Sequence, residues 1–199
     1  MAKKAPTPVK RSRDSEATKA AILDAAHFCF ARKNYEQTGL REIAAKAKVD
    51  VALVSRYFGS KQKLFATIMK PDFPMLQILN EGGRETLGKR LVRFLFKRAE
   101  TKPDSLLQML HSAASSEASP MIRNRIEVGF IAPLSLYLGG DHATERASLI
   151  CSYLIGVSTL RQVIRCPALV GCETEYLIDA IANVIQSEIN SDRDTIPPN

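Results

Sequence analysis

The sequence predicts an all-α protein built in two parts, and three observations carry that reading. Apolar residues recur at intervals of three and four through most of the chain, and no period-two alternation survives anywhere. Tryptophan is absent and runs rich in alanine and leucine are frequent, which favours helix. The charge is also divided: residues 1–70 hold 15 Lys/Arg against 6 Asp/Glu, and residues 71–199 hold 13 against 15. A basic head on a near-neutral body points to an acidic polymer bound at one end. A need for solubility alone does not predict that asymmetry.

Composition bounds the classes. A chain of 199 residues with 45% apolar content builds one or two cores. No uninterrupted run of about 18 apolar residues occurs, so no membrane span is expected. The basic N-terminus is followed by no apolar h-region, so a secretory signal is not expected and the expected location is the cytoplasm. Four cysteines (Cys29, Cys151, Cys166, Cys172) lack CxxC spacing and read as reduced core or loop residues. A redox-sensing pair of Cys166 and Cys172 stays open.

The elements follow in chain order. Residues 1–14 hold two prolines and five Lys/Arg and read as a disordered basic arm that tracks phosphates or has no role. A first helix runs from residue 15 or 16 to about 33, with Ile22, Leu23, Ala26 and Phe30 along one stripe. His27, beside that stripe, reads as structural. Asn34 and Tyr35 make a turn. Leu40, Ile43, Ala44 and Ala47 recur at i, i+3, i+4 and i+7, which gives a second, short helix one apolar face. Lys48 and Val49 break the period. Asp50 stands where a third helix needs an N-cap, and Gly59 stops that helix after Val51, Val54 and Phe58. Ser60 caps a fourth helix that ends at Pro71.

Two helices of about seven or eight residues joined by three or four make a helix-turn-helix, spanning about residues 39–58. On the third helix Val54 and Phe58 point one way. Ala52, Leu53 and Arg56 point the other way, flanked by Ser55 and Tyr57. That face is small, carries one guanidinium and holds no carboxylate, so it enters a DNA major groove without repulsion. Arg56, its one long donor, is the expected base reader, with Ala52 and Leu53 against thymine methyl groups. Lys61, near a helix N-terminus, is the expected phosphate ligand. Thr38 and Tyr57 are expected on the DNA backbone through their hydroxyls.

The run ILDAAHFCFARKNYEQTGLREIAAKAKVDVALVSRYFGSKQKLF resembles the N-terminal domain of the tetracycline-repressor (TetR/AcrR) family of bacterial transcriptional regulators. The likeness spans roughly residues 18 to 70. It rests on ILDAA-x4-F, on LREIA-x-KA and on VSRYFGSK followed by LF. One departure is Lys48, which fills a turn position usually held by glycine and adds a cation near the DNA. The DNA-facing set expected from the resemblance and the helical wheel is Thr38, Gly39, Arg41, Lys48, Val51, Ala52, Leu53, Ser55, Arg56, Tyr57 and Lys61.

Pro71 and Pro74 mark the expected boundary, giving a DNA-binding domain over 15–70 and a helical body over 71–190, with a loose tail over 191–199. Helices are expected over 84–100, 104–114, 120–138 (kinked at Pro133), 142–164 and 172–189, with stops at Gly82-Gly83 and Gly139-Gly140. The resemblance implies that the body encloses a small-molecule effector, and the large residues on its helices are Phe94, Phe96, Met109, His111, Met121, Phe130 and Tyr137. Arg125 and Arg93 are the candidates for an anionic group.

In the last helix Ile178, Ile181 and Ile185 form a stripe broader than one intrachain neighbour needs. In the helix before it Ala147, Cys151, Leu154 and Ser158 run along one side. Two such helices from each of two chains make a four-helix bundle across a two-fold axis, so these seven residues are the expected dimer interface.

Enzymatic signatures are missing. The three histidines form no HExxH, and there is no G-x-S-x-G, Walker loop or G-x-G-x-x-G. No catalytic residue, metal site or cofactor is expected. The expected function, drawn from the resemblance, is a homodimeric repressor that binds double-stranded operator DNA of two-fold symmetry and leaves it when an effector binds the body. The alternative is a helical dimeric interaction protein that has lost specific DNA binding, which Lys48 and the mostly apolar groove face leave open.

Overall fold

The computed structural model describes residues 9–70, 73–101 and 104–191. The expected breaks at Pro71 and Pro103, the first eight residues of the arm and the tail beyond Ser191 lie outside them. Among the described residues every regular element is helical, and no helix is long and apolar enough to cross a membrane. The chain divides into two compact units. One holds the residues up to Lys70 together with Leu107–Pro120, and the other holds Pro71–Leu106 and the residues from Met121 on.

The first unit is built on α1 (Val9–Arg32), α2 (Leu40–Ala47), α3 (Val51–Phe58) and α4 (Lys61–Ile68). The backbone is helical from Val9, so the last six residues of the supposed arm belong to α1. No helix breaker lies between Val9 and Ser15, and a helix once nucleated adds one hydrogen bond per residue at little cost. Ile22, Ala26, Phe30, Ile43, Val54, Leu64 and Phe65 are buried together with Tyr35. Phe65 meets both Phe30 and Tyr35 edge-on, at 4.9 and 5.1 Å between centroids.

The second unit holds α5 (Met75–Asn80), a 3₁₀ turn (Arg84–Thr86), α6 (Leu87–Thr101), the start of α7 (Asp104–Ser112), most of α8 (Ser119–Ile126), α9 (Ala132–Leu138), α10 (Ala143–Ser158), a short α11 (Pro167–Val170) and α12 (Thr174–Asn190). Pro133 does not produce a plain kink. It lacks the N–H that an α-helix would donate, and the backbone takes a π-type turn over Glu127–Ile131 that absorbs the break. A second π-type turn, Thr159–Val163, follows α10.

Helices α6 and α12 approach closely at Gly88. A Cβ there would stand 2.7 Å from the Ala182 carbonyl oxygen, and the Gly88 N–H donates to Gln186 Oε1 at 2.9 Å. Two arginines gather helix C-termini, where cations are favoured. Arg84 donates to the carbonyls of Leu138 and Ile189, and buried Arg146 donates to those of Gly139 and Ser191.

The seven expected interface residues are all buried within their own chain. Ala147, Cys151, Leu154, Ile178, Ile181 and Ile185 belong to the core of the second unit with Leu87, Leu91 and Leu134. The stripe is wide because the body itself covers it. The apolar surface that α10, α12 and their flanks leave exposed is a different face: Leu149, Tyr153, Leu160, Ile164, Tyr176 and Val184.

Candidate functional site

The helix-turn-helix is fixed by its caps. Asp50 accepts the Ala52 N–H at 2.7 Å and so starts α3. Gly59, at φ +81°, ends it, and Ser60 accepts the Lys63 N–H at 3.1 Å to start α4. In the turn, Lys48 adopts φ 57° and ψ 41°. This left-handed conformation brings its N–H back to the carbonyls of α2 and costs a non-glycine residue about 1–2 kcal/mol.

This frame presents Val51, Ala52, Ser55 and Arg56 to solvent, with Leu53 and Tyr57 half-buried beside them. Gly39, Arg41 and Lys48 are exposed on the same motif. Gly39 caps α2 with no side chain, which leaves its first-turn amides open. Arg41, Lys48, Arg56 and Lys63 have no ion-pair partner among the described residues. Other cations are engaged: Lys33 pairs with Glu42 at 2.7 Å, and Arg32 and Lys46 both lie over the Phe28 ring. Lys19, whose proton is held more tightly by a hydrogen bond from its ammonium to Glu16, lies 5.8 Å from the centre of the Tyr57 ring.

Two expected DNA contacts are corrected. Thr38 is buried, and its hydroxyl donates to the Asn34 carbonyl at 3.0 Å, closing the turn before α2. Lys61 is half-buried; its ammonium donates to the Tyr35 carbonyl at 3.0 Å and lies 4.3 Å from the centre of the Tyr35 ring. It ties the start of α4 to the turn after α1 and is not a free phosphate ligand.

Sequence reading also missed a fastening from far along the chain. Buried Gln108 bonds the His27 ring nitrogen and donates to the His27 carbonyl at 2.6 Å. The Tyr35 hydroxyl donates to Glu117 at 3.0 Å. Burial raises the Tyr35 phenol well above its usual range, and the Glu117 carboxylate adds to the shift. Glu36 is held below the ordinary carboxylate value, first by a hydrogen bond from Ser115. Burial likewise raises the Cys29 thiol. These contacts join 107–120 to the compact unit that holds the residues up to Lys70. In the sequence His27 read only as a structural residue beside the main stripe.

The expected effector residues separate accordingly. Met109 and His111 fall in the first unit, and His111 is exposed. Phe94 and Phe130 are brought together by Phe73, whose ring stands 4.5 and 5.2 Å from theirs. Phe73 lies in the break between Pro71 and Pro74, where no helical period marks its partners. Arg125 donates to Ser105, which also accepts from Arg98. Met121 is half-buried, and Tyr137 packs on the core. Arg93 is exposed and paired with Glu175 at 2.7 Å. Among the described residues no cluster of His, Cys, Asp or Glu could hold a metal.

Residues 22–68 match the family model described as bacterial regulatory proteins, tetR family, and residues 85–189 match the tetracyclin repressor-like C-terminal domain. An HTH-type transcriptional repressor of Streptomyces coelicolor is 41% identical over 59 residues, 30% of this chain and 31% of that protein. Another, of Mycobacterium tuberculosis, is 34% identical over 84 residues, 42% of this chain and 37% of that protein. These curated matches therefore span about a third of each relative's length. Among solved structures, a TetR-family regulator from Streptomyces coelicolor superposes with a TM-score of 0.61 at 25% identity, over 94% of this chain and 100% of that one. NalD, the secondary repressor of a multidrug efflux pump in Pseudomonas aeruginosa, shares the fold with a TM-score of 0.65 at 20% identity, over 87% and 95% of the two chains. Since the C-terminal model alone matches more than half of the chain and the N-terminal model adds the helix-turn-helix, the protein belongs to the TetR family of bacterial transcriptional regulators.

Proposed function

We propose that the protein is a cytoplasmic homodimeric repressor that binds an operator of two-fold symmetry and releases it when a small molecule enters the body. The observation that carries the DNA half is the outer face of α3: Ala52, Ser55 and Arg56 exposed on a helix capped at both ends, with Arg41, Lys48 and Lys63 unpaired around it. Arg56 takes the base-reading role, because a bidentate arginine on guanine is the commonest specific contact. Arg41, Lys48 and the open amides at Gly39 take phosphates, which set register without reading sequence. The repressors among its relatives support the sign of regulation, and the face left exposed on α10 and α12 supports a second copy.

The test is an electrophoretic shift on the DNA upstream of the protein's own coding region. Wild type retards it against excess random DNA. Arg56→Ala weakens that complex by on the order of 1–3 kcal/mol and relaxes preference at one operator position. A mutant that binds as tightly and as selectively as wild type contradicts the assignment.

A further inference from the structure

The inner stripe of α10 changes character at its end. Ala147, Cys151 and Leu154 pack into the apolar core; Ser158 is the last residue of α10, and Arg161 lies in the π-type turn that follows it. Ser158 is only 4% exposed, and its hydroxyl has no hydrogen-bond partner among the described residues. The Arg161 Nε is buried and equally unpartnered. The guanidinium lies over the Phe96 ring, 4.4 Å from its centre, and no carboxylate pairs with it among the described residues. Buried polar groups left unmatched are costly, so orphaned polar atoms at the end of an apolar stripe call for a reason.

We propose that Ser158 and Arg161 form the polar end of the effector site and that the effector is an organic monocarboxylate with an apolar body. This rests on the ligand-responsive reading above and specifies its ligand. One guanidinium stacked on an aromatic ring offers a planar donor edge that matches a carboxylate. The Ser158 hydroxyl, three positions earlier in the chain, supplies one more donor. A phosphate dianion is better met by two cations, and Arg161 brings one. The core residues preceding Ser158 on the stripe suit an apolar body.

The experiment measures thermal unfolding of the full chain with a panel of straight-chain fatty acids, benzoate and naphthoate, each beside its uncharged alcohol. Ligands that bind the native state raise the midpoint. Wild type is expected to be stabilised by one or more carboxylates and to favour the acid over the alcohol. Arg161→Met loses that preference by about tenfold or more, the range for a hydrogen bond to a charged group. Ser158→Ala loses less, and Arg161→Lys keeps part of it. If Arg161→Met fails to fold, the Lys and Ala variants carry the comparison. The proposal is overturned if no carboxylate stabilises wild type through Arg161. It is also overturned if Arg161→Met lowers the solution mass, since the two groups would then serve contact between copies. DNA shifts on the same samples separate the two readings. A protein that retards its operator and ignores every carboxylate loses only this inference, whereas one that binds carboxylates through Arg161 and selects no DNA loses the operator.

Discussion

Lys48 is the residue where sequence and backbone disagree, and the disagreement is measurable. Its left-handed φ of 57° is strained for any side chain with a Cβ. Lys48→Gly should stabilise the chain by about 1 kcal/mol in urea unfolding. The same change removes a cation from the DNA face, so binding should weaken equally on operator and random DNA, with a salt slope lower by about one. Tyr35 gives a second test. Its folded-state pKa is raised, so the neutral phenol's contribution is fully present below the unfolded value of about 10 and is lost as pH rises beyond it. Wild type should therefore lose stability more steeply than Tyr35→Phe above about pH 10; parallel curves would show that the buried phenol contributes nothing. Asp50, Gly59 and Ser60 were legible in the sequence because cap chemistry is local. Thr38 and Lys61 were misread because burial and a carbonyl 26 positions away decide what they touch.

At the scale of elements, periodicity located nearly every helix and identified which face of each is apolar. It could not say what covers that face. The stripe of Ile178, Ile181 and Ile185 packs inside its own body, whereas Tyr153, Leu160, Tyr176 and Val184 are exposed and are the surface proposed for a second copy. Light scattering separates the two. Tyr153→Glu/Leu160→Glu should give a folded monomer at micromolar concentration from a dimeric wild type. Ile181→Glu/Ile185→Glu should unfold the body, since it buries charge in a packed core. A double mutant at Tyr153 and Leu160 that stays dimeric would move the interface elsewhere. The π-type turn before Pro133 was legible only as a break, because the missing N–H is in the sequence and its accommodation is not. The docking of 107–120 depends on side chains about 80 positions apart, as His27 and Gln108 are, and had no local signature.

For the whole molecule, the charge asymmetry was the most informative global signal. It survives folding in part: among the described residues Arg41, Lys48, Arg56 and Lys63 of the first unit have no ion-pair partner, while arginines of the body such as Arg84, Arg90 and Arg146 are taken up by backbone carbonyls. The central claim is that two such heads, related by a two-fold axis, read one operator. The most direct test is selection of duplexes from a random pool by the wild-type protein, followed by sequencing. An inverted repeat is expected, with half-site centres about one helical turn apart, or a multiple of it, and with the preference at one base of each half lost in Arg56→Ala. Enrichment of a single asymmetric site, or no enrichment beyond random DNA, would contradict it.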